Sequence, residues 1–342
     1  MRLLIAGLLD GTHIGGAFFK AAQCLDLNPK LFDIKLAYAG PKWLQRINWH
    51  FRGKYPSQLR GLSQKIVWEC ENSKPELFIS TGIAPINQQA LVQMESMGIK
   101  RINFLTDDPW NSAHYAPWFF EALPHYDIVF SPRRANIDEL VQAGCPNVQY
   151  LPFGFDHECF YPEVFINPEV QLQYGCDVVF AGGADRDRVE YISALIESGI
   201  DVNLYGGYWE RYLETRAYTH GIANVATLRL ALTGAKIALC LVRKANRDGN
   251  CMRTFEVPAV GACMLTEDTQ EHREIFGDEG KAVVYFKTIS EMVEKAQWLL
   301  NHEVERQRLA LNAHLLIFHG KHTYKDRLEI MLSQTANLLF KQ

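Results

Sequence analysis

The chain has 342 residues, 48% hydrophobic and 22% charged, with a formal net charge of −4. That length favours two cores over one, and the composition excludes a disordered chain. The slight excess of acid excludes a protein that tracks nucleic-acid phosphates over a broad basic surface, although it leaves room for a local basic pocket.

The first half alternates short apolar runs with periodic segments. Strands are expected at 2–7, 33–38, 77–80, 101–106, 127–131 and 148–151, and helices at 14–25, 86–97 and 136–143. The strand runs are continuously apolar, as in sheets covered on both faces, and strand–helix repetition implies parallel pairing. The stretch 152–174, with Pro152, Gly154, Pro162 and Pro168, breaks the rhythm and reads as a linker. Strands resume at 177–181, 202–205, 236–242, 262–266 and 282–285, with helices at 189–198, 254–260, 289–301, 304–314 and a terminal helix at 322–340. The opening apolar run is too short for a signal peptide, and no run of about 18 apolar residues spans a bilayer. Eight cysteines lie scattered, without C-x-x-C or a Cys/His cluster at zinc spacing, which suits a reducing cytoplasm. The expected localisation is therefore cytoplasmic, and peripheral membrane association stays open.

Four regions carry chemistry. Arg243, Lys244, Arg247 and Arg253 gather positive charge after a buried strand, against the single acid Asp248. Forked guanidinium groups suit a diphosphate, and a solvated basic loop is the plainer alternative. In the continuation Arg253-Thr254-Phe255-Glu256, the glutamate opens a helix whose N-terminus can face phosphate, and its carboxylate can accept two bonds from a ribose diol. Upstream, Gly182-Gly183 lies between a strand and a helix, so backbone N–H groups and Arg186 can approach phosphate there. Asp185-Arg186-Asp187 spells D-x-D, and capping of the helix is the simpler reading of it than metal binding.

In the first half, Gly7, Asp10, Gly11, His13, Gly15 and Gly16 form a glycine-rich turn without the G-x-G-x-x-G order of dinucleotide sites. His13 is either a general base or a turn residue. Asp107-Asp108-Pro109-Trp110 is either a pair of mutually repelling carboxylates or ordinary turn chemistry. Trp110, Tyr115, Trp118 and Phe119 suit stacking on sugar faces or core packing equally.

Arg253-Thr254-Phe255-Glu256, Gly261, Leu265-Thr266 and Gly277-Asp278-Glu279-Gly280, in that order, resemble the spore-maturation (CgeB-like) glycosyltransferases. Leu151-Pro152-Phe153-Gly154-Phe155-Asp156, Phe160-Tyr161-Pro162 and His322-Thr323 with Arg327 extend the likeness over roughly 100–335. The resemblance implies an α/β chain of the GT-B fold, with two Rossmann-like, doubly wound parallel-sheet domains facing a cleft. It implies an acceptor-side domain at 1–155, a donor domain at 156–320, and a C-terminal helix at 321–342 packing back toward the first. Donor binding would fall to Gly182, Gly183, Arg186, Arg243, Arg253, Phe255 and Glu256. The acceptor side would hold Asp10, Gly11, Gly16, Asp107 and Trp110. Related retaining enzymes carry two acids eight positions apart, which implies Glu256 on ribose and Asp248, shorter by a methylene than the usual Glu, near the sugar. Catalytic roles are expected for His13, Asp108 and Asp248.

The activity implied is transfer of a sugar from a nucleoside diphosphate, UDP before GDP or dTDP, to a hydroxyl of a glycan, lipid or small molecule. Neither a metal nor a further cofactor is expected. A sugar-nucleotide epimerase of the same fold and a non-catalytic family member are the alternatives.

Overall fold

A computed structural model of the chain describes residues 1–9, 13–165 and 167–339. It contains the strands β1 (Arg2–Gly7), β2 (Asn28–Asp33), β3 (Leu77–Thr81), β4 (Lys100–Phe104), β5 (Ile128–Ser131), β6 (Val148–Tyr150), β7 (Cys176–Ala181), β8 (Val202–Tyr205), β9 (Ala235–Cys240), β10 (Met264–Glu267) and β11 (Val284–Phe286). The helices of the first half are α1 (Ile14–Cys24), α2 (Lys42–Phe51), α3 (Leu59–Ser73), α4 (Gln88–Ser96), α5 (Pro117–Ala122) and α6 (Ile137–Gln142). Those of the second half are α7 (Pro168–Tyr174), α8 (Arg186–Glu197), α9 (Val225–Gly234), α10 (Met252–Ala259), α11 (Gln270–Phe276), α12 (Ile289–Asn301), α13 (Glu303–His319) and α14 (Tyr324–Leu339).

Two compact units emerge. Unit 1 comprises Met1–Pro152, Ala245–Asp248 and Tyr324–Gln342, and unit 2 comprises Phe153–Lys244 and Gly249–Thr323. Each has one sheet, paired in parallel throughout, in the orders β2-β1-β3-β4-β5-β6 and β11-β10-β9-β7-β8. Counted within each unit, both begin with the order 2-1-3-4-5, so the chain reverses direction across the sheet beside its first strand. In open α/β sheets that switch point, at the carboxyl ends of the strands, is where ligands bind. It lies between β1 and β3 in unit 1 and between β7 and β9 in unit 2.

Two expectations are corrected. The run at 33–38 is not a strand. The strand is Asn28–Asp33, and Asp33 then accepts the Lys35 N–H at 2.9 Å to start a 3₁₀ turn over Ile34–Tyr38. β2 is an edge strand, where the missing N–H of Pro29 costs no ladder bond. The stretch at 152–174 is not wholly irregular, because Asn167 caps α7 through the Glu169 N–H and Pro168 occupies its first turn.

In unit 1, α14 packs on α1, and the buried Phe18 sits edge-on to both Phe104 and Tyr324. Arg327 on α14 is buried and donates from Nε to the Pro152 carbonyl at 2.9 Å. Burial lowers its pKa to about 10.

In unit 2, a chain of hydrogen bonds braces the start of α10. The Glu267 carbonyl can only accept, so buried His272 carries its proton on Nδ1 and donates there at 2.8 Å. Its Nε2 then accepts the Thr254 hydroxyl at 2.9 Å, while Thr254 Oγ1 accepts the N–H of the N-cap residue Cys251 at 3.0 Å. Burial lowers the His272 pKa to about 4. Between about pH 4 and 6.5 the unfolded chain therefore binds a proton that the folded chain refuses. Stability from this group is complete above pH 6.5 and is lost as the pH falls toward 4, by on the order of 3 kcal/mol. Urea unfolding of His272→Gln should start from lower stability at pH 7 and lose less between pH 7 and 4.5 than the parent. An equal loss in both proteins would contradict this placement of the proton.

Candidate nucleotide site in unit 2

The site is built on the turn that follows β7. Gly182 N–H donates to the Tyr205 carbonyl at 2.8 Å and Ala184 N–H to the Gly207 carbonyl at 2.9 Å, so the turns after β7 and β8 are tied together. Gly206, at φ +150°, lies so close that a Cβ there would collide with the Gly182 carbonyl. Buried Trp209 closes the back of the turn, donating from its indole N–H to that same carbonyl at 2.8 Å.

Asp185 is the N-cap of α8 and accepts the Arg188 N–H at 3.0 Å. The Arg188 side chain is buried and donates to the carbonyls of Gly183 at 3.1 Å and Leu241 at 3.2 Å, joining the ends of β7 and β9 across the switch point. Arg243 stands over the turn, with Nη2 about 3.9 Å from where a Gly183 Cβ would be and Nε 3.7 Å from Asp185. From α10, Arg253 donates through Nε to the Ala181 carbonyl at 3.1 Å and ion-pairs with Glu256 one turn on. Glu256 is 2% exposed. The turn at Gly182 and Gly183, Arg243, Arg253 and Glu256 are thus gathered at one strand end, and Arg186 is exposed at the start of α8.

Lys244 instead donates to the Tyr191 hydroxyl at 3.3 Å, above that ring. Glu267, whose pKa burial raises, accepts the Val242 N–H at 2.7 Å. Phe255 is a core side chain packed on His322.

The remaining expected residues lie in unit 1. Gly7 and Gly15 pack backbone against backbone, a Gly7 Cβ falling 2.8 Å from the Gly15 Cα, and Gly16 N–H returns to the Leu8 carbonyl at 3.1 Å. His13 is exposed at the N-cap of α1. Asp10 and Gly11 lie outside the described residues.

Asp108 is fully buried with both oxygens engaged. Oδ1 accepts from Trp110 N, Asn136 Nδ2 and Arg247 Nη2, each at 3.0 Å, and Oδ2 accepts from Arg247 Nε at 2.6 Å. Arg247 also reaches Glu139, and these two carboxylates, Glu139 foremost, hold it protonated well above its ordinary range. Asp248 pairs with the buried Arg133, which also donates to the Thr106 carbonyl at 2.6 Å. Asp107 lies 3.6 Å from His114 and accepts the Thr106 hydroxyl at 3.1 Å. Of the aromatics, Trp118 and Phe119 are core, Trp110 sits edge-on to Phe120, and Tyr115 is exposed. Among the described residues, no three His, Cys, Asp or Glu side chains gather as a metal site, and no helix is long and apolar enough to cross a membrane.

Arg188, Trp209 and Arg133 were not singled out in the sequence. The contacts by which they tie the fold together are to backbone carbonyls brought near by folding or, for Arg133, to an acid 115 positions away, which no local motif marks.

Residues 187–333 match a family model described as glycosyl transferase-like. No curated protein matches the sequence significantly. Among solved structures, a sucrose-phosphate synthase from Thermosynechococcus elongatus superposes with TM-score 0.67 at 11% identity, covering 100% of this chain and 99% of that one. HepE of Anabaena, solved in complex with UDP-glucose, gives 0.64 at 13% identity, covering 98% and 99%. A UDP-N-acetylglucosamine 2-epimerase-like protein from Listeria monocytogenes gives 0.53 at 12% identity, covering 92% and 93%. At such identities the likeness is one of fold. The chain therefore has the GT-B fold, with two parallel-sheet α/β units, and its residues 187–333 are similar to the glycosyl transferase-like family.

Proposed function

We propose that this enzyme transfers a sugar from a nucleoside diphosphate, UDP before GDP or dTDP, to a hydroxyl acceptor of the glycan, lipid or small-molecule class. The observation that carries the reading is the convergence of Arg243, Arg253 and Glu256 on the glycine turn at the β7/β9 switch point. That the Anabaena neighbour was solved with UDP-glucose favours uridine.

In this reading the diphosphate lies against Gly182 and Gly183, where absent side chains let a ligand approach the backbone. Arg243 and Arg253 compensate the charge that grows on the leaving diphosphate. Glu256 accepts the two ribose hydroxyls. Its carboxylate is already held by Arg253, so little ordering is required on binding. In unit 1, His13 is the proposed general base, because an imidazole exchanges protons near neutral pH. Asp108 and Asp248, occupied by Arg247 and Arg133, are assigned to holding those arginines in place.

UDP should raise the melting temperature of the parent protein, by mass action on the folded state. Glu256→Ala should weaken UDP binding by about 1–3 kcal/mol, the scale of charged hydrogen bonds, in isothermal titration. A folded Glu256→Ala protein with unchanged affinity would remove the assignment. Conversion of the UDP-sugar to its C2 epimer without an acceptor would replace transfer by epimerisation.

Two arginines supply the charge that a metal supplies elsewhere, and Asp185 is committed to capping α8. Transfer should therefore survive EDTA. Loss of activity in EDTA, restored by Mg²⁺ or Mn²⁺, would return Asp185 and Asp187 to consideration as ligands.

A further inference from the structure

The helix α2 is amphipathic in the inverse sense from a helix that covers a core. It is held to unit 1 by polar groups: Gln45 Nε2 donates to the carbonyls of Tyr38 at 2.8 Å and Gly40 at 3.0 Å, and buried Asn48 donates to the Ser57 hydroxyl at 3.2 Å. The side chains at one-turn spacing that a core helix would bury, Trp43, Ile47 and Phe51, are instead 63%, 41% and 83% exposed. Trp49 is exposed as well, with Lys54 over its ring. Close in sequence, Leu36 and Tyr38 precede the helix and Trp68 follows on α3, all three exposed. In water this leaves a large apolar surface exposed.

The charge of the same region is one-sided. From residue 34 to residue 68 there are seven lysines and arginines and no aspartate or glutamate, in a chain whose net charge is −4. Lys42, Arg46 and Arg52 are exposed and form no ion pair among the described residues. Directly after α2, a hollow of about 580 Å³ is lined by Arg52, Tyr55, Ser57, Gln58, Arg60 and Gly61. Two arginines at such a hollow suit a phosphate headgroup.

We propose that α2 and the hollow beside it dock this enzyme on an anionic lipid bilayer. Trp and Phe favour the boundary between headgroups and acyl chains, and cations flanking them are drawn to negatively charged lipid. An acidic protein partner would satisfy the cations but would not by itself call for Trp43, Ile47 and Phe51 in one outward stripe. A net-negative chain approaches a negative bilayer only through a local cationic face, which this segment supplies. The proposal does not rest on the reading of the nucleotide site.

Sedimentation of the full chain with vesicles tests it. The protein should pellet with vesicles of phosphatidylcholine and phosphatidylglycerol, stay in solution with phosphatidylcholine alone, and be released by raised salt. The triple variant Lys42→Glu, Arg46→Glu, Arg52→Glu should lower the bound fraction at least tenfold, and Trp43→Ser with Phe51→Ser should lower it as well. Both variants alter exposed residues, so their melting temperatures should match the parent. Failure to pellet with anionic vesicles at low salt would overturn the proposal. So would undiminished binding by both variants, or a dimer in solution that the Trp43→Ser, Phe51→Ser protein loses, which would make this face a contact between copies.

Discussion

The turns after β7 and β8 are held so close that Gly206 has no room for a side chain. The Gly206 backbone lies against the Gly182 carbonyl, and that carbonyl also receives the Trp209 indole. Much else in unit 2 follows from this approach. With the turn immobilised, Arg188 can cross from Gly183 to Leu241 and fix the spacing of β7 and β9, and Arg253 can bind the last carbonyl of β7. The result is a braced glycine turn bordered by the guanidinium groups of Arg243 and Arg253, in place before any ligand arrives. Preorganisation of this kind lowers the ordering cost of binding and keeps donors aimed where charge develops in a reaction.

The same winding serves both units, yet the two switch points are furnished differently. In unit 2 the turn is bordered by arginines. In unit 1 Gly7 at the end of β1 packs on Gly15 of α1, and the carboxylates of Asp108 and Asp248 are bound to arginines. Residues 245–248 belong to unit 1 although Arg243 and Arg253, on either side of them in sequence, belong to unit 2. Arg247 and Asp248 are therefore anchored by Asp108, Glu139 and Arg133. A run of basic residues that reads as a single cluster in sequence is divided by the fold.

How much could be read beforehand follows from where each signal lies. Strands buried on both faces leave unbroken apolar runs, so nearly all of them, and hence the α/β class, were legible. The exception at 33–38 arose because Ile34, Leu36 and Tyr38 look like strand but follow Asp33, whose side chain turns the backbone. The helix α2 escaped notice for a physical reason, since its apolar residues face outward and its anchors are Gln45 and Asn48. In the site, Gly182, Arg253 and Glu256 were legible because turn, helix start and carboxylate are adjacent in sequence. Arg188 and Trp209 were not, because what they hold are carbonyls brought near only by folding. Asp108 looked like a reactive acid from its neighbour Asp107, and nothing local indicated that Arg247 would occupy it.

The most direct measurement is a crystal structure of the full chain grown with UDP. The diphosphate is expected against Gly182 and Gly183 between Arg243 and Arg253, with both ribose hydroxyls on Glu256. UDP bound away from the β7/β9 switch point, with Glu256 making no contact to ribose, would contradict the assignment of this strand end as the nucleotide site.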